Sequence, residues 1–342
     1  MPDVWVGGHH QFGATWIPNA TFIYPLPITY LFIALGQLPL YQAFVVWVFI
    51  SEIMIIVSIL LLLRLYPEPL AKQFLLPLLI GVVLFRPAIV TLVNGQLSGF
   101  LLLVIVCFVY LWENGKWWQG SILLPLLILK PNLGVPIIGL LSLYLLIKKQ
   151  IVPLFVGAAS GVVVLLTGFL LNPNWIKEFW QAGNTKLSQI FGFAPTIWGL
   201  SSIFCQHKLD CSLIYGGAVS LLLLMGLSFL LAKKLSNLSP LLAASIAITI
   251  TLLITPTAWP YDQLLLTIPI VAVIMELASA RSRFLQVALI FLAIDVMAFI
   301  LLGISARVRM ETWNAIIPLS VFALLVWTLS KHRPVPPASG AG

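Results

Sequence analysis

The chain has 342 residues, 61% of them hydrophobic and only 8% charged, which excludes an ordinary soluble domain, where about a quarter are charged. In a soluble chain a net charge of +8 would point to nucleic acid or acidic partners. Here the cations sit in pairs at the ends of apolar runs and report membrane topology instead.

In chain order, apolar runs predict helices near 42 to 63, 74 to 93, 98 to 113, 151 to 171, 212 to 232, 239 to 257, 263 to 279, 284 to 304 and 313 to 330. Each is close to the length that crosses roughly 30 Å of hydrocarbon at about 1.5 Å per residue. A β-barrel would show short alternating segments instead. The fold class is therefore an all-α polytopic membrane protein of about nine full spans. Between 117 and 148, "WWQGSILLPLLILKPNLGVPIIGLLSLYLLIKK" is too long for one span and too short for two, with "KPN" in its middle. A kinked single helix and a re-entrant hairpin both fit the segment itself.

Charge distinguishes the two. If the segment returns to the side it entered from, Arg64, Lys72, Lys116, Lys148, Lys149, Lys233, Lys234, Arg281, Arg283, Lys331 and Arg333 share one compartment, the cytoplasm by the positive-inside rule. A single crossing would split that bias. The expectation is a hairpin with Lys130 to Asn132 at its tip. Residues 1 to 27, the turn "NGQL", the loop from about 172 to 208, "AWPYDQ" and "SARVRMET" then face outside. Residues 1–330 read as one membrane domain, and 331–342 as a disordered cytoplasmic tail. The N-terminal stretch lacks the basic and apolar regions of a signal peptide, so the topology implies a preceding helix absent from this chain.

Ionisable groups within the bilayer cost about 2.5–3.5 kcal/mol on insertion scales, so Glu52, Arg86, Lys130 and Asp295 each need a reason. Arg86 reads either as half of a buried ion pair, with Glu52 or Asp295 as mate, or as an anion contact. Asp295 reads as a paired or protonated helix-packing carboxyl. Lys130 sits where a helix breaks, so its ammonium, Asn132 and the next helix's N-terminus could converge on an anion; an ordinary snorkelling lysine is the alternative. Asn94 and Gln96 in "VNGQLSG" offer neutral hydrogen-bonding groups in what is otherwise a glycine turn. In "AWPYDQ", at the mouth between two spans, Trp259 and Tyr261 could stack on a sugar ring while Asp262 and Gln263 hold its hydroxyls, and Asp262 is also a catalytic candidate that could supplement the base. An interfacial aromatic belt accounts for the aromatics but leaves Asp262 unexplained.

Cys205 and Cys211 in "CQHKLDC" read as an extracytoplasmic disulfide, with a metal site through His207 and Asp210 as the alternative. Cys107 reads as a packing residue, and the adjacent His9 and His10 give only a weak metal signal. No metal and no cofactor are expected.

The blocks "FIYPLPITYLFIALGQLPLYQAFVVW", "RPAIVTLVNGQLSGFLLLVIV", "GSILLPLLILKPNLGVPIIGLLSLYL" and "ITPTAWPYDQLLLTIPIV" follow one another in this order. In series they resemble the bacterial polyprenol-phosphate-mannose-dependent α-1,2-mannosyltransferase-like family, membrane glycosyltransferases of the GT-C class. The resemblance implies a GT-C-like bundle in the plasma membrane with its active site facing outside or the periplasm. It implies an inverting hexosyltransferase that takes mannose or another hexose from a polyprenyl-phosphate sugar donor. The recipient would be a lipid, glycan or protein acceptor; the bilayer is a further partner and nucleic acid is not one. Tyr24 of the Tyr-Pro-x-Pro block joins the substrate-binding candidates. The resemblance also implies an acidic base after a first helix. Asp3 is the only acid before "YPLP", and is either that base or an ordinary loop residue. Many relatives carry a histidine after the Trp of the fourth block, where this chain has "WPYDQ". A transporter or flippase, or a non-catalytic membrane relative, is the competing class, since broken helices also suit a transport pathway.

Overall fold

The structure, a computed structural model, describes residues 24–190, 192–232, 238–279, 284–308 and 310–331. Asp3, His9, His10, Lys233, Lys234, Arg281, Arg283, Arg333 and the tail beyond Lys331 lie outside them. Among the described residues the chain is helical and has no strand. It is an all-α polytopic membrane protein. By length and composition five helices can cross a membrane, Leu40–Leu63, Ile151–Leu171, Leu209–Gly226, Pro260–Leu277 and Thr312–Ser330, and a bent pair adds a sixth. Other apolar helices are shorter.

After short helical turns between 26 and 37 comes α1 (Leu40–Leu63), the first of these helices among the described residues. The expected single span over 74 to 93 is instead broken, into α2 (Glu68–Leu84) and α3 (Arg86–Val93), bent by 56°. The cause is Pro87, whose ring would collide with a carbonyl one turn back in a continuous helix. Phe85 takes an extended conformation at the break and Pro87 falls in the first turn of α3, where a missing N–H costs nothing. A glycine turn then leads into α4 (Ser98–Glu113).

The segment from 117 to 148 doubles back on itself. Its first limb is α5 (Trp117–Leu123) continued by a 3-10 stretch, Leu124–Leu129; its second is α6 (Pro131–Ile147). Lys130 between them leaves helical geometry, and Pro131 starts the second limb. The rings of Trp117 and Tyr144, near the segment's two ends, lie 6.4 Å apart, and both neighbour Trp112 of α4. The close contact that makes the reversal possible is at Gly134, where a Cβ would stand 1.9 Å from the Leu127 carbonyl oxygen.

α7 (Ile151–Leu171) runs along the outside of the hairpin. The expected loop from 172 to 208 contains two helices, α8 (Trp175–Ile190) and α9 (Ile197–Phe204). Apolar Trp175, Ile176, Phe179 and Trp180 recur at helical spacing in α8, which makes it amphipathic and too polar to cross a membrane. Cys205, after α9, is bonded to Cys211 in the first turn of α10 (Leu209–Ala232). The pairing takes both thiolates away from the alternative metal site. With Cys107 the free cysteine, alkylation of denatured protein is expected to modify Cys107 alone before reduction and all three cysteines after it. Cys205→Ser is expected to lower stability by about 2 kcal/mol, the loop entropy of so short a ring. Modification of Cys211 without reductant would contradict the bond.

α11 (Pro240–Ile254), a 3-10 stretch Pro260–Leu266 and α12 (Thr267–Ser279) form the interior. The window Pro260–Leu277 is 89% buried, against 17% for Ile151–Leu171 and for Leu209–Gly226. The first is therefore walled by protein and the other two face lipid. α13 (Phe284–Val308), a short Thr312–Ala315 turn and α14 (Ile316–Lys331) complete the bundle.

The two ends of the bundle differ. At one, the Glu113 carboxylate accepts from the Leu241 N–H at 2.8 Å and Tyr144 donates to the Leu238 carbonyl at 2.9 Å. Burial, with Glu276 and Glu113 nearby, raises the Tyr66 phenol above its usual range in the loop after α1. Arg64, Lys72, Lys116, Lys148 and Lys149 flank this end in sequence. The hairpin tip, the glycine turn after α3 and the Pro260–Leu266 stretch gather at the other.

Candidate active site

Lys130 is 4% exposed and Asp262 is 0% exposed. The two form an ion pair through Nζ and Oδ1. Charges removed from water this far need further partners, and Asp262 has them. Its Oδ1 also accepts from the Ser98 hydroxyl at 3.2 Å, and its Oδ2 accepts from the Trp259 backbone N–H at 2.9 Å. That last bond ties the carboxylate to the start of its own helical turn. The Lys130 ammonium also lies 4.6 Å above the centre of the Tyr261 ring, a cation–π arrangement.

Two further bonds fasten the hairpin tip. Asn132 donates through Nδ2 to the Thr257 carbonyl, and the Thr255 hydroxyl donates to the Asn132 carbonyl at 2.6 Å. Beside the pair, the Tyr24 hydroxyl donates to Gln96 Oε1 at 3.1 Å. Burial raises the Tyr24 phenol, Lys130 lowers it less and Asp262 adds a small rise, so Tyr24 stays protonated at neutral pH within the field of both charges. Gln96 donates to the Asn94 carbonyl at 3.4 Å, and Asn94 itself is exposed. The turn they share is fixed by Gly95 at φ +59°, with the Trp47 indole donating to the Gly95 carbonyl at 2.9 Å.

A second polar cluster lies behind the first. Arg86 pairs with Glu311, its Nη2 lying 3.3 and 3.1 Å from the two carboxylate oxygens, and its Nη1 donates to Asn314 Oδ1 at 2.5 Å. This corrects the expected mates of Arg86: Glu52 is exposed on α1, and Asp295 is buried on α13 with Oδ1 unbonded. Gln263 donates to the Asn314 carbonyl at 2.9 Å, and Thr91 of α3 donates to the Tyr261 carbonyl at 3.1 Å. The Pro260–Leu266 turn is thus clamped from behind while it presents Asp262 in front.

Of the candidates from sequence, Lys130, Asp262, Tyr261, Tyr24 and Gln96 come together. Asn132 is bonded within the wall, Trp259 supplies its backbone N–H and is half-buried, and Gln263 turns to the rear cluster. Asp262 differs from the expected open-mouth carboxylate, because its whole side chain is buried against a cation. Ser98, Glu311 and Asn314 escaped the reading. Glu311 and Asn314 stand three residues apart in the outer stretch "METWN", a helical spacing that could have flagged them; Ser98 carries no such signal. His207 lies 3.1 Å from the Ser202 hydroxyl, and no group of three or more metal-ligating side chains occurs among the described residues.

The family model for glycosyltransferase family 87 matches residues 22–256. The chain belongs to glycosyltransferase family 87. No curated protein and no solved structure matches it. As a member of this family the chain is a membrane glycosyltransferase. The matched region holds Tyr24, Gln96, Ser98 and Lys130. It ends before Trp259, Tyr261 and Asp262, so the ion pair joins a residue inside the family match to one outside it.

Proposed function

We propose that this glycosyltransferase transfers mannose or another hexose from a polyprenyl-phosphate carrier to a lipid, glycan or protein acceptor outside the plasma membrane, by inverting displacement. The observation that carries the reading is the gathering of Lys130, Tyr261, Asp262, Tyr24 and Gln96 at the hairpin tip, opposite the end flanked by basic residues. Negative charge develops on the carrier phosphate as the glycosyl bond breaks. A fixed ammonium and the N-terminus of α6 stabilise that charge. Asp262 positions Lys130. Tyr24, Asn94 and Gln96 offer hydrogen bonds to sugar hydroxyls, and Trp259 and Tyr261 offer ring faces. Asn132 and Gln263 hold the walls. The acceptor hydroxyl needs a carboxylate base, and Asp3 is the candidate.

Purified full-length protein in lipid nanodiscs, given radiolabelled polyprenyl-phosphate-mannose or polyprenyl-phosphate-glucose with envelope extract as acceptor, is expected to transfer label from one of them. Transfer from a nucleotide sugar alone would overturn the donor assignment. In intact cells, a cysteine at position 94 is expected to react with an impermeant maleimide and one at 149 to stay protected. The reverse pattern would turn the active site to the cytoplasm.

A further inference from the structure

The rear cluster is assembled around Asn314, which is 0% exposed. Its Oδ1 accepts from Arg86 Nη1, its Nδ2 donates to the Ser305 hydroxyl at 3.0 Å and to Glu311 Oε2 at 2.5 Å, and its carbonyl accepts from Gln263 Nε2 at 2.9 Å. One asparagine thereby joins α3, α13 and the Pro260–Leu266 turn. The cluster is a poor source of stability. Arg86 Nε and Gln263 Oε1 are buried without a hydrogen-bond partner, and a buried polar atom left so costs about 1–3 kcal/mol. A buried ion pair is in general no better than apolar packing of the same volume. What such a cluster does supply is a fixed arrangement of the elements it joins, and the turn it holds carries Asp262 immediately before Gln263.

We propose that Gln263 is a positioning residue: its bond to Asn314 fixes the turn so that Asp262 holds the Lys130 ammonium where charge develops on the leaving group. The inference rests on the reading of Lys130 given above. The other tethers of the turn explain why this bond matters. The bond from the Trp259 N–H to Asp262 lies at the start of the turn and moves with it. The Thr91 hydroxyl, which faces the Tyr261 carbonyl at 3.1 Å, has the Pro87 carbonyl nearer, at 2.7 Å. A hydroxyl has one proton to give, so that tether is a shared one. Gln263 donates an undivided amide N–H to a hub that Arg86 and Ser305 hold from two other helices. Its register is passed directly to the neighbouring carboxylate, and through the ion pair to Lys130.

Gln263→Leu removes the bond and the unpartnered oxygen together, while the Asn314 carbonyl keeps the Ile316 N–H. In nanodiscs, thermal stability is expected to stay at the parental value or rise, which a merely structural role would not allow. With whichever polyprenyl-phosphate sugar or nucleotide sugar the parent uses, kcat is expected to fall about ten- to a hundredfold, the effect of a misplacement of about 1 Å, with KM for that donor unchanged. Gln263→Met, unbranched like the parent, is expected to behave the same way. In the Lys130→Met background Gln263→Leu is expected to lower kcat no further, because the two side chains act as one unit. A parental kcat in Gln263→Leu or Gln263→Met would overturn the inference, and so would a fall that recurs in full without Lys130. Parental transfer in Lys130→Met would instead remove the reading of Lys130, and the inference with it.

Discussion

Lys130→Met is expected to lower transfer by about two to three orders of magnitude, the range for losing one preorganised charge-stabilising group. It is also expected to destabilise the protein by about 3 kcal/mol, because the fully buried Asp262 carboxyl would lose its cation. The low end of the range for broken buried pairs applies, since Ser98 and the Trp259 N–H still bond the carboxylate. Asp262→Asn alone leaves the converse, an uncompensated ammonium, and is expected to destabilise too. The pairing therefore changes what a charge-neutral substitution means: on an open carboxylate it would reduce transfer without touching the fold. The double variant Lys130→Met/Asp262→Asn separates the two effects. With both charges gone, thermal stability in detergent is expected to return to within about 1 kcal/mol of the parent, while transfer stays lost. Parental transfer rates in Lys130→Met would remove Lys130 from the phosphate site, and a double variant less stable than either single one would contradict the ion pair.

Gly134→Ala is expected to be at least as disruptive from a position that touches no charge. The added methyl would have to occupy space 1.9 Å from the Leu127 carbonyl oxygen, and backbone cannot step aside as a flexible side chain can. The two limbs must separate near the tip, at a cost of about 3 kcal/mol or more. Because Gly134 bonds the Lys130 carbonyl through its N–H at 2.8 Å, the displacement reaches the lysine. The expected result is a fall in both folded yield and transfer, with the remaining folded protein showing reduced kcat. By contrast Gly139, with nothing within 4 Å of a built Cβ, is expected to accept alanine with stability unchanged or slightly raised. Equal tolerance at 134 and 139 would show that the limbs are not in contact at the tip.

The class was legible from residue type and spacing, because a chain this poor in charge can satisfy its backbone in lipid only as helices or a closed barrel, and its long unbroken apolar runs are not barrel strands. The doubling back of residues 117 to 148 was legible too, since proline chemistry at "KPN" forces a break and the flanking charges favour a return. Both are local properties. The break before Arg86 was not legible against a continuous span, although Pro87 held the cue, because an apolar count over 74 to 93 outweighs a single ring. The partners of the buried charges emerged from helix assembly. Lys130 meets Asp262 from 132 residues away, and Arg86 meets Glu311 from 225. At such separations charge says that a mate is required without saying which, so Glu52, Asp295 and Glu311 are equivalent until helices assemble. Burial of Asp262 is likewise a product of assembly: an acid beside two aromatics reads as open to the outer face, and it is buried only because α4, the hairpin tip and the Pro260–Leu266 turn close around it.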